Sequence, residues 1–259
     1  MKKSVSKKIL YSVIPFLEFR ENNLSFQRKL YISFNTLGLL IVVMYFLTYT
    51  LSHFSYPYKY ENKHMKIYAN NDLANDKKFV IAINKAHQIL EKNELYDKNY
   101  NVEISMIDSD LFYDYKSMIV GIDTVAMNLF NYISIRNSYI NKYKIEKYKY
   151  IQQEIVHEVI HTFQALKYGG WIISGLKMPY WVKEGYARYI DENKQVVSNP
   201  KKFLSKKDNI GNNYTFYALM VKHAIEILNK SVDDLHLGKV DYTEVYNSLL
   251  KEYNIKVKK

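Results

Sequence analysis

Two histidines four positions apart, with a glutamate directly after the first, stand in "YIQQEIVHEVIHTFQALKYGG" as His157, Glu158 and His161. In an α-helix, positions i and i+4 share a face, so both imidazoles aim at one point, and a zinc ion at about 2.0–2.1 Å from each nitrogen fits there. Glu158, one position further round the helix, falls beside such a metal. A carboxylate placed there takes a proton from a metal-bound water and later returns it to a leaving amine. The pattern also arises by chance in core helices that carry two histidines on one side, so it does not decide the matter alone. A catalytic zinc takes three protein ligands and keeps one position open. Further along, "PYWVKEGYARYI" carries Glu184 on a helix opened by Pro179, and a carboxylate there completes a His-His-Glu set once the two helices pack. Gly185 allows them to approach closely. The competing reading of Glu184 is a solvated helix carboxylate, and flanking Trp181, Val182 and Tyr186 make the helix too apolar for that.

The chain contains no cysteine, which excludes disulfides, thiolate-bound zinc and a thiol nucleophile and leaves His, Asp and Glu as metal ligands. Its 259 residues, 48% hydrophobic and 24% charged, suffice for one good-sized folded domain and a tail. A net charge of +11 raises the question of acidic partners such as nucleic acid or an anionic membrane. The charge is spread thinly, and Lys, Asn, Ile and Tyr are over-used together, so no nucleic-acid partner is expected. "KYKIEKYKY", residues 142–150, interleaves Lys with Tyr and reads as a solvated face leading into the histidine helix.

The elements that must position these residues begin after an apolar stretch. No charge occurs between Lys29 and His53, and residues 30–52 as a helix span on the order of 30–35 Å, the thickness of a bilayer core. A transmembrane anchor is expected there, ahead of the alternatives of a buried helix or a cleaved signal peptide, since "TYTLSHF" offers no small-x-small cleavage site. Residues 1–29 form a basic tail, whose Lys2, Lys3, Lys7, Lys8, Arg20, Arg28 and Lys29 place it in the cytoplasm and the following domain outside. "ILYSVIPFLEF" within that tail is too short to cross and reads as a surface-lying segment. Residues 53–72 read as a linker passing into a first strand, and 73–259 as the folded domain. Within it the patterning predicts a helix from about Asp76, a strand at "YNVEISM", a strand from about Met127 to Ile135, and the histidine helix ending at Gly169–Gly170. Three further helices follow: the one opened by Pro179, one near 214–229 and one near 242–253, the last with Asp241 and Glu244 as a capping box. The fold class is α+β: a small mixed sheet with an edge strand over the histidine helix, then a helical C-terminal half.

Taken together, His157-Glu158-x-x-His161 and Trp181-Val-Lys-Glu184-Gly-Tyr-Ala resemble the gluzincin zinc metallopeptidases, the thermolysin and aminopeptidase N superfamily. The likeness covers roughly residues 125–190 and is closer to the aminopeptidase N branch. It implies one zinc per chain on His157, His161 and Glu184, with Glu158 as general base. "VAMNLFNYISIR" is similar to the branch's Gly-Ala-Met-Glu-Asn strand, but Asn128 stands where the family has the Glu that grips a substrate's free amine. What remains is an edge that pairs with an extended peptide. The family's oxyanion donor is matched by "NNYTFYALMVKHA", which offers Tyr214, Tyr217 and His223, with the two tyrosines preferred. Where thermolysin-like enzymes place an Asp one turn after the ligand Glu, this chain has Arg188, and Asp191 is the substitute.

The resulting expectation is a membrane-anchored zinc peptidase acting on peptide or protein substrates, as an endopeptidase because Asn128 offers no charge to a free N-terminus. The alternative is a tethered binding or sensor module that keeps the fold without cleaving.

Overall fold

The computed structural model describes residues 26–50, 56, 58–62, 64–118, 124–129, 131–143, 146–170, 177–192, 196–206 and 213–255. The chain divides into two units, residues 1–55 and 56–259.

In the first unit one helix, α1, runs from Phe26 to Thr50. Leu37 and Leu39 to Met44 are all exposed on it, on every side, as are Phe46 and Leu47. Among the described side chains, which in this helix run from 31 to 47, no helix is long and apolar enough to cross a membrane. The surface-lying segment expected at "ILYSVIPFLEF" and the last two residues of the expected span fall outside the described residues.

The second unit is a mixed α+β domain, mostly helical. Its strands are β1 (Tyr58–Glu61), β2 (Met65–Ala69), β3 (Val102–Ile107), β4 (Ala126–Leu129) and β5 (Tyr132–Arg136). They form one sheet in the order β1-β2-β3-β5-β4. β2, β3 and β5 are parallel, while β1 and β4 pair antiparallel at the two edges. Two expectations are corrected here. The stretch 53–72 is not a mere linker, because β1 and β2 lie in it, with Met65, Ile67 and Ala69 buried in the core. Residues 127–135 are not one strand but a hairpin: Asn131 turns left-handed (φ 70°) and reverses the chain. Asn tolerates that conformation better than a bulky side chain would.

Short α2 (Asn71–Ala74) precedes α3 (Lys77–Glu91), which Asp76 caps by accepting from the Lys78 N–H at 2.9 Å. α3 buries Phe79, Ile83, Ala86 and Leu90, a stripe at helical spacing. α4 (Asp110–Ser117) and α5 (Asn137–Tyr143) follow β3 and β5. The histidine helix, α6, runs from Lys147 to Lys167 and packs on both α3 and β4. It is buried almost all round from Ile155 to Ala165. Past its end, Gly169 (φ 105°) and Gly170 (φ 84°) adopt left-handed conformations that stop it. α7 (Tyr180–Asp191) starts after Pro179 and packs on α6. The remaining helices are α8 (Pro200–Leu204), α9 (Tyr214–Glu226), α10 (Val232–His236) and α11 (Tyr242–Glu252). Asn213 caps α9 and Asp241 caps α11, each accepting from backbone N–H groups of the first turn.

Gly185 sits where α7 meets α9. A Cβ at this position would lie 2.6 Å from the Tyr217 carbonyl oxygen, so only glycine permits the approach. Close contact there seats the C-terminal helices against the helix that carries Glu184.

Candidate metal centre

On α6, His157 and His161 stand one turn apart with ring centroids 4.8 Å apart. Glu184, from α7, places a single oxygen, Oε2, 3.4 Å from the Nε2 of both. All three side chains are buried, and one donor atom from each lies within 4.8 Å of the others. The spacing fits a metal: tetrahedral bonds of about 2.05 Å separate adjacent ligand atoms by about 3.3–3.4 Å. The other carboxylate oxygen of Glu184, Oε1, faces the Lys183 ammonium at 3.4 Å.

The ring nitrogens turned away from this centre are held as well. His157 Nδ1 lies 2.8 Å from Asp191 Oδ2, and His161 Nδ1 lies 2.8 Å from Gln164 Oε1. Both partners are acceptors in these contacts, so both Nδ1 atoms carry a hydrogen and both Nε2 atoms are turned toward Glu184. Asp191 is buried and is itself braced by Arg188 at 3.3 Å, which also reaches Glu192 at 2.7 Å. Asp191 therefore stands where the sequence placed it as a substitute, two turns beyond Glu184.

Glu158 shares the groove, and among the described residues no hydrogen bond or ion pair to its carboxylate is found. Burial raises its pKa, the neighbouring imidazoles of His161 and His157 pull it down in part, and Glu184 pushes it up again. A base raised in this way is better matched to proton transfer near neutrality. Glu184 moves the opposite way: burial alone would raise it, but the two imidazoles hold it well below the usual carboxylate range. His157 is raised, because Asp191 and Glu184 outweigh the opposing effect of burial. Burial for Glu158 and the two imidazoles for Glu184 thus push two buried carboxylates in opposite directions.

A groove of about 520 Å3 opens over these residues. Edge strand β4 forms one wall through Ala126, Met127 and Asn128, while Tyr150, Glu154, Arg188, Tyr214 and Thr215 contribute elsewhere. Asn128 does not face the groove with its amide nitrogen. It donates instead to the Glu158 carbonyl at 2.7 Å and to the Thr162 hydroxyl at 2.9 Å, stapling β4 to α6. Glu154, one turn before Glu158, is a groove residue that the sequence reading passed over; its only signal was helical phase. Burial raises its pKa.

The three candidate oxyanion donors separate. Tyr214 lines the groove, 48% exposed, its ring stacked 6.3 Å from that of His157 and its hydroxyl 3.0 Å from that of Tyr180. Tyr217 is 6% exposed and is not part of the groove wall; its ring meets Tyr180 edge-on and its backbone abuts Gly185. His223 is buried against α11, with Nε2 2.9 Å from the Ser248 hydroxyl. Tyr217 and His223 are thus packing residues, placed by the core face of α9. A larger concavity of about 820 Å3 lies between α3, α6 and α7, rimmed by Lys78, Lys85, Lys92 and Lys149, and among the described residues it holds no comparable cluster of ligands.

No family model matches the chain, and neither a curated protein nor a solved structure matches it.

Proposed function

We propose that the chain is a membrane-anchored zinc-dependent peptidase that hydrolyses internal peptide bonds. The observation that carries this reading is the placement of one Glu184 oxygen equidistant from two imidazole nitrogens, each imidazole held from behind, with Glu158 alongside. Zinc bound to His157, His161 and Glu184 would supply a Lewis acid and lower the pKa of a water. Glu158 then accepts the proton of the attacking water and passes it to the leaving amine. Tyr214 offers the hydroxyl that donates to the developing oxyanion. β4, at the edge of the sheet, lines the groove and orients an extended substrate along it. The described lining of the groove comes from one small domain, which suits internal bonds.

The anchor is α1, 25 residues long and apolar on every side through its middle, a pattern found in helices that lie in lipid or in a core. Lysines and arginines before it favour a cytoplasmic N-terminus with the domain outside.

Cleavage of a peptide library by the wild type beside Glu158→Gln tests the chemistry. The variant is expected to hold the same zinc and to cleave at least about 100-fold more slowly, since only the base is removed. Equal cleavage by both would overturn the assignment. A zinc-loaded wild type that cleaves nothing would leave a tethered binding module in its place.

A further inference from the structure

His161 is aimed by a neutral amide, and an amide can turn over, unlike the carboxylate that holds His157. Something must keep Gln164 from doing so. The contacts around it supply an answer. His236 Nδ1 lies 2.7 Å from the Val232 carbonyl oxygen, which only accepts, so Nδ1 carries the hydrogen. In a neutral ring, Nε2 is then a bare acceptor. The Gln164 atom 3.2 Å from that Nε2 is the amide nitrogen, which donates there and to the Lys183 carbonyl at 3.1 Å. Both amide hydrogens are used. Turning the amide over would set its oxygen against two acceptors and its NH2 against the His161 N–H. The Gln164 oxygen is thereby left facing His161 Nδ1, as found at 2.8 Å.

We infer that His236 is a positioning residue of the metal centre: through Gln164 it fixes the tautomer and the aim of His161. The inference rests on the reading of this centre as a zinc site. The relay is directional, running from the Val232 carbonyl through His236 and Gln164 to His161, whose Nδ1 is held as the donor and whose Nε2 is turned toward Glu184. It also ties two ligands together, since Lys183 is the residue directly before Glu184. The His236 ring is clamped by a parallel stack on Tyr168 (centroids 4.8 Å, 8°) and an edge contact with Tyr186 (4.8 Å, 79°). Burial lowers its pKa to about 4, assisted by Lys167 and opposed by the Val232 carbonyl and Asp233, so the ring stays neutral and Nε2 stays an acceptor across physiological pH.

The experiment uses the full chain in detergent micelles and two variants that split the roles of the ring. His236→Phe keeps the ring and its stacking but offers no acceptor; His236→Gln keeps an acceptor and loses the ring. Zinc affinity is read by competition with a chromophoric chelator, and tautomers by long-range proton–nitrogen NMR correlations of the metal-free, 15N-histidine-labelled protein. The wild type should show His236 protonated at Nδ1. His236→Phe should bind zinc about 10-fold or more weakly, a typical penalty for losing outer support of a metal ligand, and His236→Gln should recover most of that affinity. Equal affinity in wild type and His236→Phe would overturn the inference and leave the peptidase reading standing. So would a His236→Gln as weak as His236→Phe, since ring packing alone would then explain the loss. A wild-type His236 protonated at Nε2 would overturn the relay without any variant, even if His236→Phe failed to fold. A wild type that binds no zinc at all would overturn the peptidase reading and this inference with it.

Discussion

Asp191 and Gln164 hold the two imidazoles from behind, one with a charge and one without, and that difference sets what each substitution does. Asp191→Asn keeps the shape but removes the charge that stabilises a metal-bound imidazole and balances Arg188. Zinc affinity should fall by about 10- to 100-fold, measured by chelator competition, with the fold intact by circular dichroism. Unchanged affinity would mean that Asp191 serves only to pair Arg188. A second residue-scale expectation concerns Asn128. Asn128 carries no charge and its acceptor oxygen is buried, so it gives a substrate's ammonium group no charged partner, and such a bond is worth roughly 1.5–3 kcal/mol. Acetylating the N-terminus of a cleaved peptide should therefore alter turnover only a few-fold. If blocked peptides prove inert while free ones lose single residues, the enzyme is an aminopeptidase after all. Glu154, the remaining unassigned carboxylate on the groove wall, would then be the group to test by Glu154→Gln.

At the scale of elements, the centre depends on how closely α7 can approach α9. Gly185→Ala places a methyl group 2.6 Å from a backbone carbonyl of α9, which has no rotamer by which to yield. The helices must separate, at a cost of about 1–3 kcal/mol and a drop in Tm of roughly 2–10 °C. Because Glu184 adjoins Gly185, zinc affinity should fall in parallel; a variant with unchanged Tm and affinity would show that the contact is not needed. The same elements show what a sequence can reveal. α6 was legible because two ligands, a base and a buried stripe all follow one local period. Glu184 was legible because an acidic residue sat inside an apolar helix. The β4–β5 hairpin was hidden, since its reversal depends on Asn131 turning left-handed within a run that otherwise looks like continuous strand. Tyr217 and Tyr214 lie three apart on α9 and look alike in sequence; packing against Gly185 and Tyr180 buries one and leaves the other in the groove. Gln164 and His236 meet across 72 positions, a separation at which no local pattern carries information.

For the whole molecule, the question is whether the apolar helix and the folded domain are separable parts. Every residue assigned to the centre lies between Asn128 and His236, inside the unit that begins at Tyr56, and none lies in α1. The proposed anchor, α1, is 25 residues long, about 37 Å at 1.5 Å per residue, against a hydrocarbon core of about 30 Å. On the proposed reading, its exposed Leu, Ile and Val side chains between Leu37 and Leu47 are the surface that lipid or detergent covers. The full chain should accordingly stay with membranes through alkaline carbonate washing and come off only in detergent. Residues 56–259, produced alone, should remain in the supernatant and cleave the same soluble peptides with kcat/KM within a few-fold of the detergent-solubilised full chain. A full chain that washes off as a soluble monomer would remove the anchor from the proposal. A truncated domain that folds and binds zinc but no longer cleaves would show that α1 takes part in the site rather than merely holding it at the membrane.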